Sequence, residues 1–187
     1  MHLITADEAR KAVKRPGMAK GIDKYCFLMQ RVRCTNVFED ADFRKAYDGF
    51  YQVRRNGQFR DAYFALMEAM KAEASIDFEK VFYGILKIKG SCEISFASKL
   101  AHTLDTAFPI WDSVVTKRHF KIMAPVIGTK NREAVCIDRY KEYQNAFTEY
   151  MATPEAGELI EIFDEAFPNN GITDIKKIDF ILWQHRE

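Results

Sequence analysis

The stretch ILKIKGSCEISFASKLAHTLDTAFPIWDSVVTKRHF, residues 85–120, holds the features that decide the predicted fold. Two helical segments meet in it at Gly90, a residue that permits a tight turn between helices. After the turn, apolar residues recur at the spacing of a helix that buries one face: Ile94, Ala97, Ala101 and Leu104. A loop containing proline then leads to Asp112. The stretch predicts a helical hairpin over residues 78–104 and a further helix that starts at Asp112.

Helical spacing of apolar residues continues along almost the whole chain, and the alternation typical of a strand is hard to find. A first helix begins with a capping box formed by Thr5 and Glu8 and ends before Pro16. Further helices are predicted over residues 22–34, 42–54, 58–73, 77–88, 94–104, 113–121, 132–151, 154–166 and 174–184. We therefore predict an all-α fold, a single compact bundle of about nine or ten helices. It forms one domain over residues 1–187, with residues 78–122 as its functional core.

The composition is that of a soluble globular protein, with 48% hydrophobic and 29% charged residues. No apolar stretch has signal-peptide length or the roughly 20 residues of a membrane span, so a cytoplasmic protein without a membrane partner is expected. The 28 Lys and Arg residues nearly balance the 27 Asp and Glu residues, so nucleic-acid binding would rest on local basic patches. The cysteines and histidines lack metal-site spacing, so no metal or other cofactor is expected, and the histidines are expected at the surface.

The hairpin turn is the first candidate for function. Unpaired backbone N–H groups at a helix N-terminus bind phosphate, and basic side chains nearby strengthen that binding. The residues that would take part are Lys89, Gly90, Ser91, Cys92 and Lys99. Lys99 belongs to a polar face of the second helix, which is expected to be exposed together with Ser95, Ser98 and His102. The alternative is an ordinary connection between two helices.

Asp112 is the second candidate. Aspartate is a preferred N-cap residue, so the carboxylate is explained by capping alone. A carboxylate fixed at a helix start is also oriented and anionic, which suits it to stabilise a cation. Basic residues lie further along the same predicted helix, and they are expected to bind nucleic acid through its phosphates: Lys117, Arg118 and Lys121. Trp111, just before the aspartate, either lines a base pocket or is a core aromatic residue.

In its order of features, the stretch from residue 85 to residue 120 resembles the core of the helix-hairpin-helix DNA glycosylases, which include endonuclease III and 8-oxoguanine glycosylase. The resemblance implies that Asp112 is the catalytic aspartate and that Gly90 is the hairpin glycine. It also matches Val115, and Lys117 or Arg118, to the valine and arginine that follow the family's aspartate. The expected partner is double-stranded DNA.

The sequence also departs from the family pattern. Cys92 stands where the family hairpin has its second glycine, which weakens the expectation of phosphate binding. Ser95 occupies the position of the catalytic lysine of bifunctional members, so no lyase activity is expected. The resemblance therefore implies a monofunctional DNA glycosylase, which cleaves the N-glycosidic bond of a flipped base. The alternative is a non-catalytic DNA-binding or interaction domain that retains the glycosylase fold.

Overall fold

The computed structural model describes residues 3–53 and 56–185, and every regular element in these ranges is a helix. The elements are α1 (Ala6–Val13), α2 (Gly17–Arg31), α3 (Ala41–Tyr51), α4 (Gly57–Met70), α5 (Phe78–Lys89), α6 (Ile94–Leu104), a π-helix (Val114–Phe120), α7 (Arg132–Met151), α8 (Pro154–Ala166) and α9 (Asp174–Gln184). The all-α class and the number of helices are confirmed for this part of the chain. Among the same residues, no helix is long and apolar enough to cross a membrane.

Local sequence signals set most helix boundaries. Thr5 and Glu8 form the predicted capping box, in which the Thr5 Oγ1 accepts the Glu8 N–H and the Glu8 carboxylate accepts the Thr5 N–H. The bounds of α6, α7, α8 and α9 agree with those predicted. The second helix was predicted to start at residue 22 but starts at Gly17. Pro16 lies directly before it, where the missing N–H of a proline costs a helix nothing, so the Pro-Gly pair opens this helix as well as ending the first one.

Contacts between Cα atoms divide the chain into two compact units. The terminal unit comprises the described residues of Met1–Ala19 and Thr106–Glu187, and the central unit comprises those of Lys20–Asp105. The terminal unit holds α1, the first residues of α2, the π-helix and α7 to α9, and the central unit holds the rest of α2 and α3 to α6. The organisation of residues 1–187 as a single domain stays a prediction.

In the central unit, α5 and α6 pack against each other as the predicted hairpin, and α4 packs on both. Gly90 ends α5 in the left-handed conformation, with φ of 71°, and its N–H donates to the Leu86 carbonyl over 2.7 Å. Buried aromatic side chains fill the space between α3, α4 and α6. The Tyr47 and Tyr63 hydroxyls are 2.7 Å apart, and the Tyr63 hydroxyl also donates to the Phe96 carbonyl. The hairpin is therefore anchored on an aromatic core.

One face of α6 differs from the prediction. Ser98 and His102 were expected to be exposed, but both are fully buried. The His102 Nε2 lies 3.0 Å from the Tyr25 hydroxyl, so a hydrogen bond inside the unit satisfies the imidazole. Packing on both sides of α6 buries polar residues that a one-sided amphipathic helix would have left in water.

In the terminal unit, α1 packs on α8 and α9, and α8 packs on α9. The π-helix contacts α7 and α9. A stripe of buried aromatic residues along α7 supplies much of the core: Tyr140, Tyr143, Phe147 and Tyr150. This stripe faces the segment that contains Asp112, and so it positions the candidate site described below.

The hairpin turn gives a stability prediction. At Gly90 an added Cβ would meet no atom within 4 Å, but the positive φ is unfavourable for any residue with a Cβ. Gly90→Ala should therefore lower the free energy of unfolding by about 1–2 kcal/mol. Gly157 lies inside α8 with equally open space and no positive φ, so Gly157→Ala should raise that free energy by roughly 0.5–1 kcal/mol. Urea unfolding of the two variants checks both signs, and a destabilised Gly157→Ala would contradict the account.

Candidate functional site around Asp112

The segment that leads to Asp112 is held by two tyrosines of α7. The Tyr140 hydroxyl donates to the Pro109 carbonyl over 2.9 Å, and the Tyr143 hydroxyl donates to the Ile110 carbonyl over 3.1 Å. Both tyrosines are fully buried, and the Trp111 ring packs edge-on against Tyr143 with centroids 5.6 Å apart. The backbone on the N-terminal side of Asp112 is therefore fixed by hydrogen bonds inside the core.

Trp111 is itself buried, with 4% of its surface exposed. That burial agrees with the alternative in which Trp111 is a core aromatic residue. Its contact with Tyr143 means that it supports the neighbouring Asp112 from within the unit. We therefore assign Trp111 a structural part in the site.

Asp112 caps the helix that follows it. Its Oδ1 accepts the Val114 N–H over 2.8 Å, and its carbonyl accepts both the N–H and the hydroxyl of Thr116. The side chain is half-buried and, among the described residues, neither forms an ion pair nor accepts a hydrogen bond at Oδ2. One carboxylate oxygen is thus used for capping, and the other remains available for a ligand.

The helix after Asp112 was predicted to be an α-helix over residues 113–121, but Val114–Phe120 form a π-helix. It ends at Lys121, which has a left-handed backbone with φ of 60°. π-Helices are rare, are usually a single turn, and occur frequently at functional sites. Asp112 therefore lies at the start of an element that is typical of such sites.

A buried ion pair lies on α9. The Lys176 Nζ is 2.5 Å from the Asp179 Oδ2, and both side chains are more than nine-tenths buried. The Lys176 Nζ also lies 4.4 Å from the centre of the Phe180 ring. Because Lys176 compensates its charge, the Asp179 carboxylate is stabilised within the core.

Besides burial, the negative charges of Asp179 and Asp112 both affect the pKa of the Tyr143 hydroxyl. Burial raises the pKa of the Tyr143 hydroxyl well above its usual range, and the negative charges of Asp179 and Asp112 raise it further. Asp179 is paired with Lys176, whereas Asp112 forms no ion pair among the described residues. Of these two aspartates, Asp112 is therefore the one that is available to a ligand.

The basic residues that follow Asp112 serve different purposes. Lys117 and Lys121 are exposed. Arg118 donates to the His185 carbonyl over 3.0 Å, where it binds the C-terminal end of α9. Lys117 and Lys121 thus remain available at the surface, while Arg118 has a structural contact.

The predicted phosphate site lies in the central unit, and only part of it is available for binding. Lys89 and Gly90 are exposed at the turn, and Cys92 is a half-buried thiol. The Ser91 hydroxyl lies 3.4 Å from a carboxylate oxygen of Glu93, so negative charge lies beside the turn. Lys99 donates to the Tyr51 carbonyl over 3.2 Å at the end of α3. An adjacent carboxylate and a lysine bound elsewhere both disfavour phosphate.

His119 is also buried, contrary to the prediction of surface histidines. Its Nε2 lies 3.1 Å from the Leu182 carbonyl, and its ring lies 5.4 Å from that of His185. Burial lowers the pKa of His119, and the bond to Leu182 opposes that shift only in part. His185 in turn lies 3.4 Å from the Glu8 carboxylate, which connects α9 to α1.

Sequence patterns did not identify the tyrosine anchors or the Lys176–Asp179 pair. The aromatic spacing along α7 was visible, but it predicts only a buried face. Within the described residues, no group of three or more His, Cys, Asp or Glu side chains could hold a metal ion.

No family model matches the sequence, no curated protein matches it, and no solved structure matches the fold. Any function assigned to this chain therefore rests on its own residues.

The capping role of Asp112 gives a second prediction. Asn supplies the same side-chain oxygen to the Val114 N–H, so Asp112→Asn should change the free energy of unfolding by only a few tenths of a kcal/mol. Asp112→Ala should lower it by about 1 kcal/mol. Asp77 is a matched control, because its Oδ1 accepts the N–H two residues ahead, that of Glu79. Chemical denaturation should show the same order of stability at both positions, with the Asn variant more stable than the Ala variant. A large loss of unfolding free energy in Asp112→Asn would contradict the capping role.

His119 gives a third prediction. Its folded-state pKa lies below that of the unfolded chain, about 6.5, so its contribution to stability is fully present above that pH and is lost as pH falls. Gln in its place retains a donor for the Leu182 carbonyl and does not titrate. The stability advantage of the wild type over His119→Gln should therefore shrink between pH 7.5 and 5.5. Urea unfolding across this range measures it, and a constant difference would refute the assignment.

Proposed function

We propose that this chain hydrolyses the N-glycosidic bond of a base flipped out of duplex DNA, with Asp112 as the catalytic carboxylate. The observation that carries the proposal is the geometry of Asp112. One of its oxygens is fixed by the Val114 N–H, the preceding backbone is anchored by Tyr143, and the other oxygen accepts no hydrogen bond from the described residues. An oriented anion of this kind stabilises positive charge without reorganisation during the reaction.

The chemistry follows from that charge. As the bond between the sugar C1′ and the base breaks, its electron pair leaves with the base, and the sugar becomes cation-like. The Asp112 carboxylate stabilises this cation, and water then adds to C1′. The proton that the water releases passes to the carboxylate and finally to the base. The products are a free base and an abasic site.

The proposed reaction includes no Schiff-base step. Such a step needs a deprotonated amine that can reach C1′. The two buried lysines of the same unit are both engaged in ion pairs: Lys176 with Asp179, and Lys177 with Asp164 and Asp174. The position of the family's lysine is Ser95. Strand cleavage is therefore not expected to accompany base release.

A second candidate function is DNA binding without catalysis. The contacts that the basic residues make favour it over catalysis. Lys99 and Arg118, two of the expected phosphate ligands, bind backbone carbonyls of their own units instead. The formal net charge is only +1. Phosphate binding would then rest on exposed lysines such as Lys89, Lys117 and Lys121.

The fourth prediction separates the two candidates. Duplexes with assorted base lesions are incubated with the protein and scored for abasic sites. Because no strand cleavage is expected, the DNA strands should keep their full length until alkali is added. Asp112→Asn should reduce the rate on the best substrate by about a hundredfold or more, which is the usual loss for one preorganised electrostatic group. Asp77→Asn, which alters a cap of the same geometry, should leave the rate unchanged.

The contrary results are distinct. Excision at the wild-type rate by a folded Asp112→Asn would eliminate the catalytic assignment. Duplex binding without excision of any lesion would leave the second candidate. A protein that neither binds nor cleaves duplex DNA would exclude both.

A further inference from the structure

The loop between the π-helix and α7, residues 121–131, exposes three large apolar side chains. Met123 is 61% exposed, Val126 is 76% exposed and Ile127 is 93% exposed. These are the most exposed of the large hydrophobic residues in the described part of the chain. Clustered apolar exposure on a folded surface is typical of an interaction site.

The tip of this loop is an ordered turn. The Thr129 N–H and hydroxyl both donate to the Val126 carbonyl, over 3.2 Å and 2.8 Å. Gly128, third in the turn, has φ of +91°, which is the backbone conformation that a type II turn requires at that position. Ile127 is therefore presented to solvent on a hydrogen-bonded turn, so little order has to be gained when a partner binds it.

The charge around the turn is positive. Residues 113–132 contain three lysines, two arginines and no acidic residue. Lys121 and Lys130 lie on the two sides of the turn, and both are exposed. The two arginines, Arg118 and Arg132, donate to backbone carbonyls. A partner for this loop should therefore offer negative charge beside a place for an apolar side chain.

Another surface of the same unit carries the opposite charge. Residues 142–175 contain eight acidic residues and no lysine or arginine. Gly157 in α8 is exposed, and a Cβ at this position would meet no atom within 4 Å. The helix surface is therefore open there, because a glycine covers none of it. Exposed carboxylates lie around this open position: Glu155, Glu158 and Glu161.

The two surfaces lie at opposite ends of α7. The loop leads directly into the first residue of α7, and α8 begins three residues after its last. The 20 residues of α7 extend about 30 Å. When two copies place their α7 helices side by side and antiparallel, the loop of each copy comes to the start of α8 of the other. Such an arrangement is twofold and closed, as most homodimers are.

We propose that the chain forms this twofold dimer, in which the loop of each copy docks on the first half of α8 of the other. Ile127 packs against Gly157 of the second copy. Lys121 and Lys130 pair with the exposed carboxylates around that glycine. The inference goes beyond the proposed function and does not rest on it, since neither DNA nor Asp112 takes part.

A second copy accounts for more of the observations than a membrane does. An apolar tip with basic neighbours also suits an anionic lipid surface. A membrane would explain the loop alone, whereas the dimer explains the loop and the acidic surface of α8 by one contact. Each contact is small compared with a standard interface, so the dimer should be weak even with two contacts.

The fifth prediction is a monomer–dimer equilibrium, measured without DNA by sedimentation equilibrium at submillimolar concentration. The dimer should weaken as salt rises from about 50 mM to about 500 mM, because salt screens the ion pairs. Ile127→Ser should raise the dissociation constant about tenfold or more, the scale for one apolar side chain that stays in water. The absence of DNA makes the result independent of whether Lys121 also binds phosphate.

Exchange of charges between two variants gives the sharper test. A Lys121→Glu, Lys130→Glu variant should be monomeric alone, because its loops and α8 are both acidic. A Glu158→Lys, Glu161→Lys variant should also be monomeric alone, because both surfaces are then basic. A mixture of the two variants should dimerise, because each loop then meets an α8 of opposite charge.

A matched control reverses two exposed lysines outside the terminal unit, Lys45 on α3 and Lys87 on α5. Lys45→Glu, Lys87→Glu makes the same change in net charge and should dimerise like the wild type. Thermal unfolding confirms that each variant remains folded.

The contrary results are specific. A wild-type chain that stays monomeric at low salt would overturn the dimer, and so would a mixture of the two reversed variants that fails to dimerise. Dimers of either reversed variant alone would place the interface elsewhere. Binding to phosphatidylserine vesicles that depends on Ile127, by a chain that remains monomeric, would overturn the inference in favour of a membrane surface.

Discussion

Two backbone carbonyls, those of Pro109 and Ile110, impose the constraint on which the candidate site depends. Both residues are buried, so their carbonyl groups need hydrogen-bond donors inside the protein. The hydroxyls of Tyr140 and Tyr143 supply them from one face of α7. Without these donors the segment would have to remain at the surface, and neither the burial of Trp111 nor the position of Asp112 would follow.

The local part of this arrangement could be predicted from the sequence. Caps and apolar spacing are properties of neighbouring residues, and so the bounds of α6 to α9 and the position of Asp112 at a helix start agree with prediction. Contacts between distant residues could not be predicted in this way. The tyrosine hydroxyls bond to carbonyls 31 and 33 residues away, and His102 pairs with Tyr25 from 77 residues away. The π-helix also had no local signal, since no glycine or proline interrupts Val114–Phe120.

The number of basic residues can be read from the sequence, but their contacts with distant parts of the chain cannot. The sequence gives nearly equal numbers of acidic and basic side chains, without indicating which cations are available. Arg33 donates to the carbonyls of Lys71 and Leu104 at the ends of α4 and α6, and Arg118 does the same for α9. These arginines satisfy carbonyls that a helix leaves unpaired. The proposed DNA contacts near Asp112 would therefore rest mainly on exposed lysines such as Lys117 and Lys121, which bind phosphate as point charges without the bidentate geometry of arginine.

The two functions considered for Asp112, capping and catalysis, are compatible because they use different atoms. Oδ1 is engaged by the Val114 N–H, which fixes the side chain and leaves Oδ2 to a ligand. The Tyr143 hydroxyl is protonated near neutrality, as tyrosines ordinarily are, and burial raises its pKa further, so pH changes around neutrality leave its hydrogen bond to the Ile110 carbonyl intact. In the proposed reaction, that anchor therefore stays in place while the carboxylate it supports meets the substrate. A cap on a mobile loop would lack this support, and its carboxylate would have to be oriented anew with each substrate. In the proposed function, the buried tyrosine is thus what allows a helix cap to serve as a preorganised anion.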